Sequence, residues 1–223
     1  MKTLQQHISE KLVLTNNSKI RKTAEIIEVK TNKELQNIVR DRYLENPKEL
    51  DLTDLDVSEI RNFECIFYEL SKVERIDISG WNTSNARNFI NTFAECTKLK
   101  EIIGIEDLDT SNVVELTNMF YQCQSLENLD VSKWKTKKVD SITGFVNHCK
   151  KLKTIKGLEN WEYENLSWVT YAFSDCPLLD NIDLSSWDFS YCSSLHFKTA
   201  HNMFTESPKL QDKTKWPKHS YNE

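Results

Sequence analysis

The apolar positions of this chain recur in columns. Leu55, Trp81, Leu108, Trp134, Trp161 and Trp187 are separated by 26, 27, 26, 27 and 26 residues. Phe67, Phe93, Phe120, Val146 and Phe173 keep the same intervals, as do Leu70, Cys96, Cys123, Cys149 and Cys176. Two further columns are Val73, Leu99, Leu126, Leu152, Leu179 and Phe63, Phe89, Leu116, Ile142, Val169. Several apolar columns in one register mark an internal repeat. A single unit of this size cannot bury its own apolar face, so the units are expected to stack and share one core.

Within a unit the pattern changes. Ile76 and Ile78 alternate with polar residues, the period of a short strand. Two strand variants take turns. Ile76-Asp77-Ile78-Ser79 is the short one, and Ile102-Ile103-Gly104-Ile105 and Ile155-Lys156-Gly157-Leu158 carry one extra residue and a glycine. That glycine fits a bulge absorbing the extra residue. Polar turn residues such as Asn82-Thr83-Ser84-Asn85 follow. Ala86, Phe89, Phe93 and Val113, Leu116, Phe120 then fall at i, i+3, i+7, which predicts a helix. Thr83, Ser84, Thr110 and Ser111 are placed to cap its start. The predicted unit is therefore strand, turn, helix, turn. The last unit is stretched: Phe173 and Phe204 are 31 residues apart, with the excess in Tyr191–His201.

The flanks differ from the repeat. Ala24 to Val29 reads as a short strand, and Thr31 to Leu44 as a helix with a Thr31–Glu34 capping-box pattern. Leu4, Ile8 and Leu12 fall at i, i+4, i+8, so Met1–Leu14 is expected to form one short amphipathic helix that docks or stays mobile. The expected organisation is a leader over 1–23, an N-terminal cap over 24–48, the repeat over 49–210 and a C-terminal tail over 211–223. Trp216 is expected to cover the C-terminal end together with Leu210.

The repeat resembles the BspA-like leucine-rich repeats, also described as the mycoplasma-lipoprotein type. Leu126-Glu127-Asn128-Leu129-Asp130-Val131-Ser132-Lys133-Trp134 matches the first half of that pattern, and Thr110 to Cys123 the second. The resemblance covers about residues 31–210. It implies a curved solenoid with a parallel sheet on one face, a helix before the first unit, protein recognition and no shared catalytic residues. The fold class expected is thus α/β: a leucine-rich-repeat solenoid of six strand-turn-helix units with a parallel sheet and a helical N-terminal cap. The first ten residues also look like the capsid-targeting leader of internal head proteins of T-even-type phages, through Met1, Lys2, Thr3, Gln5, Ile8 and Glu10.

Composition narrows the function classes. A net charge of −5 with scattered Lys and Arg does not favour nucleic acid or an anionic membrane. No apolar run approaches the roughly 20 residues of a membrane span. The N-terminus lacks the apolar segment and small-residue cleavage site of a secretion signal, so a cytoplasmic or virion-associated location is expected. Gly-rich phosphate loops, GxSxG and HExxH are absent, and the cysteines lack metal-ligand spacing. A column that accepts Leu or Cys reads as apolar, so structural thiols are expected. Cys192 aligns with Val113 and Val139, which predicts burial. His196 and His201 are five apart and do not share a helical face. No enzyme activity, cofactor or metal is therefore expected.

What remains is an outward strand stripe. Arg75, Glu101, Asn128, Thr154 and Asn181 form one row, and Asp77, Ile103, Asp130, Lys156 and Asp183 the next. Two readings stand: a solvated strand face, or the surface that meets a protein partner. The expected function is non-catalytic protein–protein interaction, with a phage capsid component packaged through the leader as the alternative.

Overall fold

The structure is a computed structural model that describes residues 25–180, 182–189 and 202–218. The leader helix, Asn181, the Tyr191–His201 segment with Cys192, His196 and His201, and also His219, lie outside the described residues.

The chain rises through successive coils, each bonded to the next. β1 (Ile27–Glu28) pairs with β3 (Leu55–Asp56), and the helix α1 (Asn32–Glu45) lies between them in sequence. β2 (Glu49–Asp51), β4 (Arg75–Asp77) and β5 (Glu101–Ile103) form one parallel sheet. β6 (Asn128–Asp130) and β7 (Thr154–Lys156) form another. The register follows the repeat: Ile76 faces Ile102, and Leu129 faces Ile155. Each strand buries its central residue and turns the flanking ones outward.

α1 closes the N-terminal end of the core. Thr31 Oγ1 accepts from Glu34 N–H at 3.1 Å, as expected of an N-cap. The reciprocal bond differs from a capping box: the Glu34 carboxylate accepts from Lys30 N–H, one residue before the cap. Leu35, Ile38 and Val39 join the continuous core.

The second arm of each coil is not helical, contrary to the expectation for the stretches 86–93 and 113–120. Among the described residues, α1 is the one α-helix. Those arms are runs of β-turns. Thr92 N–H bonds to Phe89 O, and Cys96 N–H to Phe93 O, three residues back. The alternate amides point to the next coil: Phe93 N–H to Met119 O at 2.9 Å, Phe120 N–H to Phe145 O at 2.9 Å. Isolated parallel bridges continue this ladder through Asn62, Asn88, Glu115, Ser141 and Trp168. A left-handed residue every fourth position prevents an α-helix from forming, for example Asn91 (φ 53°) and Glu95 (φ 63°). Chained four-residue turns place apolar side chains at i, i+4 and i+7, the same spacing that a helix produces.

The capping residues expected for those helices have another task. Thr110 Oγ1 donates to Lys135 O and accepts from Lys135 N–H, at 3.0 and 2.8 Å, and Thr136 does the same with Glu162. These buried hydroxyls bind one coil to the next. Phe67, Phe93 and Phe120 stack at 4.9 and 5.4 Å between centroids, and Trp134, Trp161 and Trp187 at 6.2 and 6.3 Å.

At the C-terminal end, Trp216 packs on Phe204 at 4.8 Å and its Nε1 donates to Leu210 O. Residues 213–218 add a further rung, with Leu184 N–H to Lys215 O and Lys218 N–H to Trp187 O.

Candidate functional site

The strand face carries the stripe singled out in sequence. Of its described members, Arg75, Glu101, Asn128, Thr154, Lys156 and Asp183 are exposed, and Asp77, Ile103 and Asp130 half-buried. Asn181 lies outside the described residues.

Most of these groups are engaged along the stack. Arg75 Nε pairs with Glu101 at 3.1 Å, Thr154 Oγ1 donates to Asn128 Oδ1 at 2.8 Å, and Lys156 Nζ donates to Asp130 at 2.8 Å. The aspartates also hold the turn that follows each strand. Asp77, Asp130 and Asp183 accept from the N–H of Ser79, Ser132 and Ser185 at 3.0, 2.9 and 2.9 Å. Hydrogen bonds from Lys156 and Ser132 bring the Asp130 carboxyl down to about 2. Ser185 lowers Asp183 in the same way.

A second ladder, not noticed in sequence, runs one position before the stripe. Lys48, Glu74, Lys100, Glu127, Lys153 and Asp180 alternate in sign from coil to coil. Lys100 and Lys153 pair with Glu74 and Glu127 at 2.6 and 2.7 Å. Placing the repeat columns side by side would have shown the alternation. Such solvent-screened pairs add little to stability and favour one coil register more than they stabilise the fold.

The ladder breaks between β5 and β6. These strands belong to separate sheets. Glu74, Lys100 and Lys153 each donate their N–H to the preceding coil, but Glu127 N–H makes no such bond to Lys100 O. Lys100 and Glu127 do not pair either. Gly104 takes a left-handed conformation (φ 84°) and starts a 3-10 turn, Ile105–Asp107, before the break. Gly157 starts the same turn after β7, yet there Asp180 N–H still donates to Lys153 O at 3.1 Å, so the turn alone does not open the ladder. The other arm stays bonded through Asn88, Glu115 and Ser141, so the coils open on the strand side only. The opening is a groove lined by Glu101, Asn128, Asp130, Thr154 and Lys156 over Ile102 and Leu129. Five of the stripe residues thus converge on it.

The cysteines lie elsewhere. Cys96, Cys123, Cys149 and Cys176 are fully buried and donate to Phe67 O, Phe93 O, Phe120 O and Val146 O of the preceding coil, at 3.0 to 3.2 Å. Burial pushes Cys96 and Cys176 up to about 12 and raises Cys123 and Cys149 well above the ordinary thiol range. The column is therefore apolar in burial but chosen for a thiol donor. Leu70 fills it in the first coil, which has no preceding coil to offer a carbonyl. No group of three or more His, Cys, Asp or Glu suited to a metal occurs among the described residues. No helix among them is long and apolar enough to cross a membrane.

The profile of the family described as "Mycoplasma protein of unknown function, DUF285" matches residues 33–154 and again 101–216. The two matches overlap over residues 101–154. No curated protein matches the chain. Among solved structures it is similar to a leucine-rich cell surface protein from Faecalibacterium prausnitzii A2-165, with a TM-score of 0.40 and 17% identity. That likeness covers 60% of this chain and 38% of that one.

Proposed function

The chain belongs to the family described as Mycoplasma protein of unknown function, DUF285, and we propose that it is a non-catalytic scaffold of six stacked leucine-rich-repeat units that binds a protein partner on its strand face. The partner surface centres on the groove between β5 and β6. One observation carries this reading: between β5 and β6 the sheet divides, and among the described residues Glu127 N–H and Lys100 O have no backbone partner. Backbone polar groups left without partners are sites that a second molecule can complete. The capsid-component alternative rests on the leader, outside the described residues, and adds nothing to this reading.

A photo-crosslinking residue placed at Thr154, and a control at exposed Tyr171 on the turn arm, tests the proposal in the native host. The reading expects one discrete adduct from position 154 that Lys156→Glu abolishes. Equal adducts from both positions, or none from 154, count against it.

A further inference from the structure

The turn-arm ladder has a beginning, and it is only half covered. In the second to fifth coils, four alternate carbonyls point back and accept from the coil before: Asn88, Ile90, Thr92 and Ala94 accept from Phe63, Cys65, Phe67 and Glu69. The equivalent carbonyls of the first coil belong to Asn62, Glu64, Ile66 and Tyr68. α1 covers the first two. Asn32 Nδ2 donates to Asn62 O and Glu64 O, both at 3.0 Å, and Gln36 Nε2 to Glu64 O at 3.3 Å. Among the described residues no donor reaches Ile66 O or Tyr68 O, although Ile66 is only 3% exposed. Free edges of this kind are normally blunted.

Beside these two carbonyls runs a groove of about 630 Å³ between the first coil and the outer face of α1. Lys33, Asn37, Arg40 and Leu44 form its helical wall. Leu44 is 75% exposed, and among the described residues Lys33 and Arg40 have no ion pair. The coil wall contributes one acid, Glu69. In the next coil the equivalent carbonyls accept alternate N–H groups of a neighbouring backbone, so two bare ones call for the alternate N–H groups of another chain segment. Two unpaired cations call for carboxylates.

We infer that this groove binds an extended, acidic segment of a partner protein, which runs as an additional strand against Ile66 and Tyr68. The chain's own start does not fit: residues 1–24 carry five Lys or Arg and one Glu. The site is separate from the β5–β6 groove and does not depend on it.

Fluorescence polarisation with a labelled alternating Glu–Leu octapeptide tests the inference on the full chain. Binding is expected, weakened about tenfold or more by Lys33→Glu with Arg40→Glu. Methylating the backbone nitrogens along one edge of the peptide should weaken it as much, because the donors are removed. An alternating Lys–Leu peptide should bind at least about tenfold more weakly. Lys156→Glu, in the other groove, should change nothing. Both helix positions are exposed, and a thermal melt checks that the variant is folded. Binding that is undetectable near 1 mM (about −4 kcal/mol), or insensitive to the charge reversal or to methylation, overturns the inference. So does concentration-dependent self-association abolished by Arg40→Glu, which would make a second copy the occupant.

Discussion

Gly157 tests how closely the coils approach where the extra residue is absorbed. A Cβ added there would lie 2.2 Å from Ser132 Cα and 2.5 Å from Ser132 N, inside the backbone of the preceding coil. At Gly104, the equivalent position, the nearest approach is 2.9 Å to Ser79 Cα, and at Gly80 nothing lies within 4 Å. All three are left-handed, with φ of 99°, 84° and 85°. Gly80→Ala therefore measures the conformational penalty alone, about 1–2 kcal/mol. Gly157→Ala adds displacement of one coil against its neighbour, which brings the loss to about 4 kcal/mol or more. Gly104→Ala should fall between. For a chain of this size each 1 kcal/mol moves Tm by about 2–4 °C. The expected falls are about 5 °C for Gly80→Ala and more than about 10 °C for Gly157→Ala. Tryptophan fluorescence melts report it, since Trp134 and Trp161 stack beside this junction. Equal falls for Gly80→Ala and Gly157→Ala, or the reverse order, would refute the close approach.

Three further expectations follow from side chains. In the folded protein at pH 8, a thiol reagent should modify half-buried Cys65 and spare Cys96, Cys123, Cys149 and Cys176; rapid native labelling of Cys123, located by peptide mapping, would contradict the buried ladder. Trp134 Nε1 donates to Ile105 O at 2.9 Å, whereas Trp161 Nε1 is buried without a partner. Trp134→Phe should thus lose about 1–3 kcal/mol more in urea unfolding than Trp161→Phe, because it leaves a carbonyl unpaired. Asp130 has its folded pKa drawn from 3.8 to about 2, chiefly by Lys156 and Ser132. A lowered carboxylate stabilises above its ordinary value and loses that contribution as pH falls toward the folded one. Stability should drop between about pH 4 and 2, less steeply in Asp130→Asn; identical pH profiles would exclude Asp130 from the effect.

How much of this was legible in sequence differs between the two arms of a coil. The strand arm was readable, because alternation in Ile76 and Ile78 has no competing interpretation and the extra residue carries a glycine that its conformation requires. The helix α1 announced itself through Thr31. The turn arm was misread, because spacing alone does not separate a helix from chained turns. A signal was present in Asn91, Asn118 and Gly144, one column of residues that tolerate a left-handed backbone. It was diluted by Cys65 and Tyr171 at the same place and by Glu95, Gln122 and His148 four residues on. The stripe was placed correctly on the outward face, but sequence could not show that its aspartates hold turns or that five of its members meet at one opening. Both facts depend on which neighbouring coil each group reaches.

The most direct test is the hydrogen-bond partner of the Phe120 amide, read by NMR scalar coupling across the bond. The stacked-turn structure predicts coupling from Phe120 N–H to the carbonyl of Phe145, one coil on, and likewise from Phe93 to Met119. Coupling of Phe120 N–H to the carbonyl of Leu116, four residues back as in an α-helix, would contradict it.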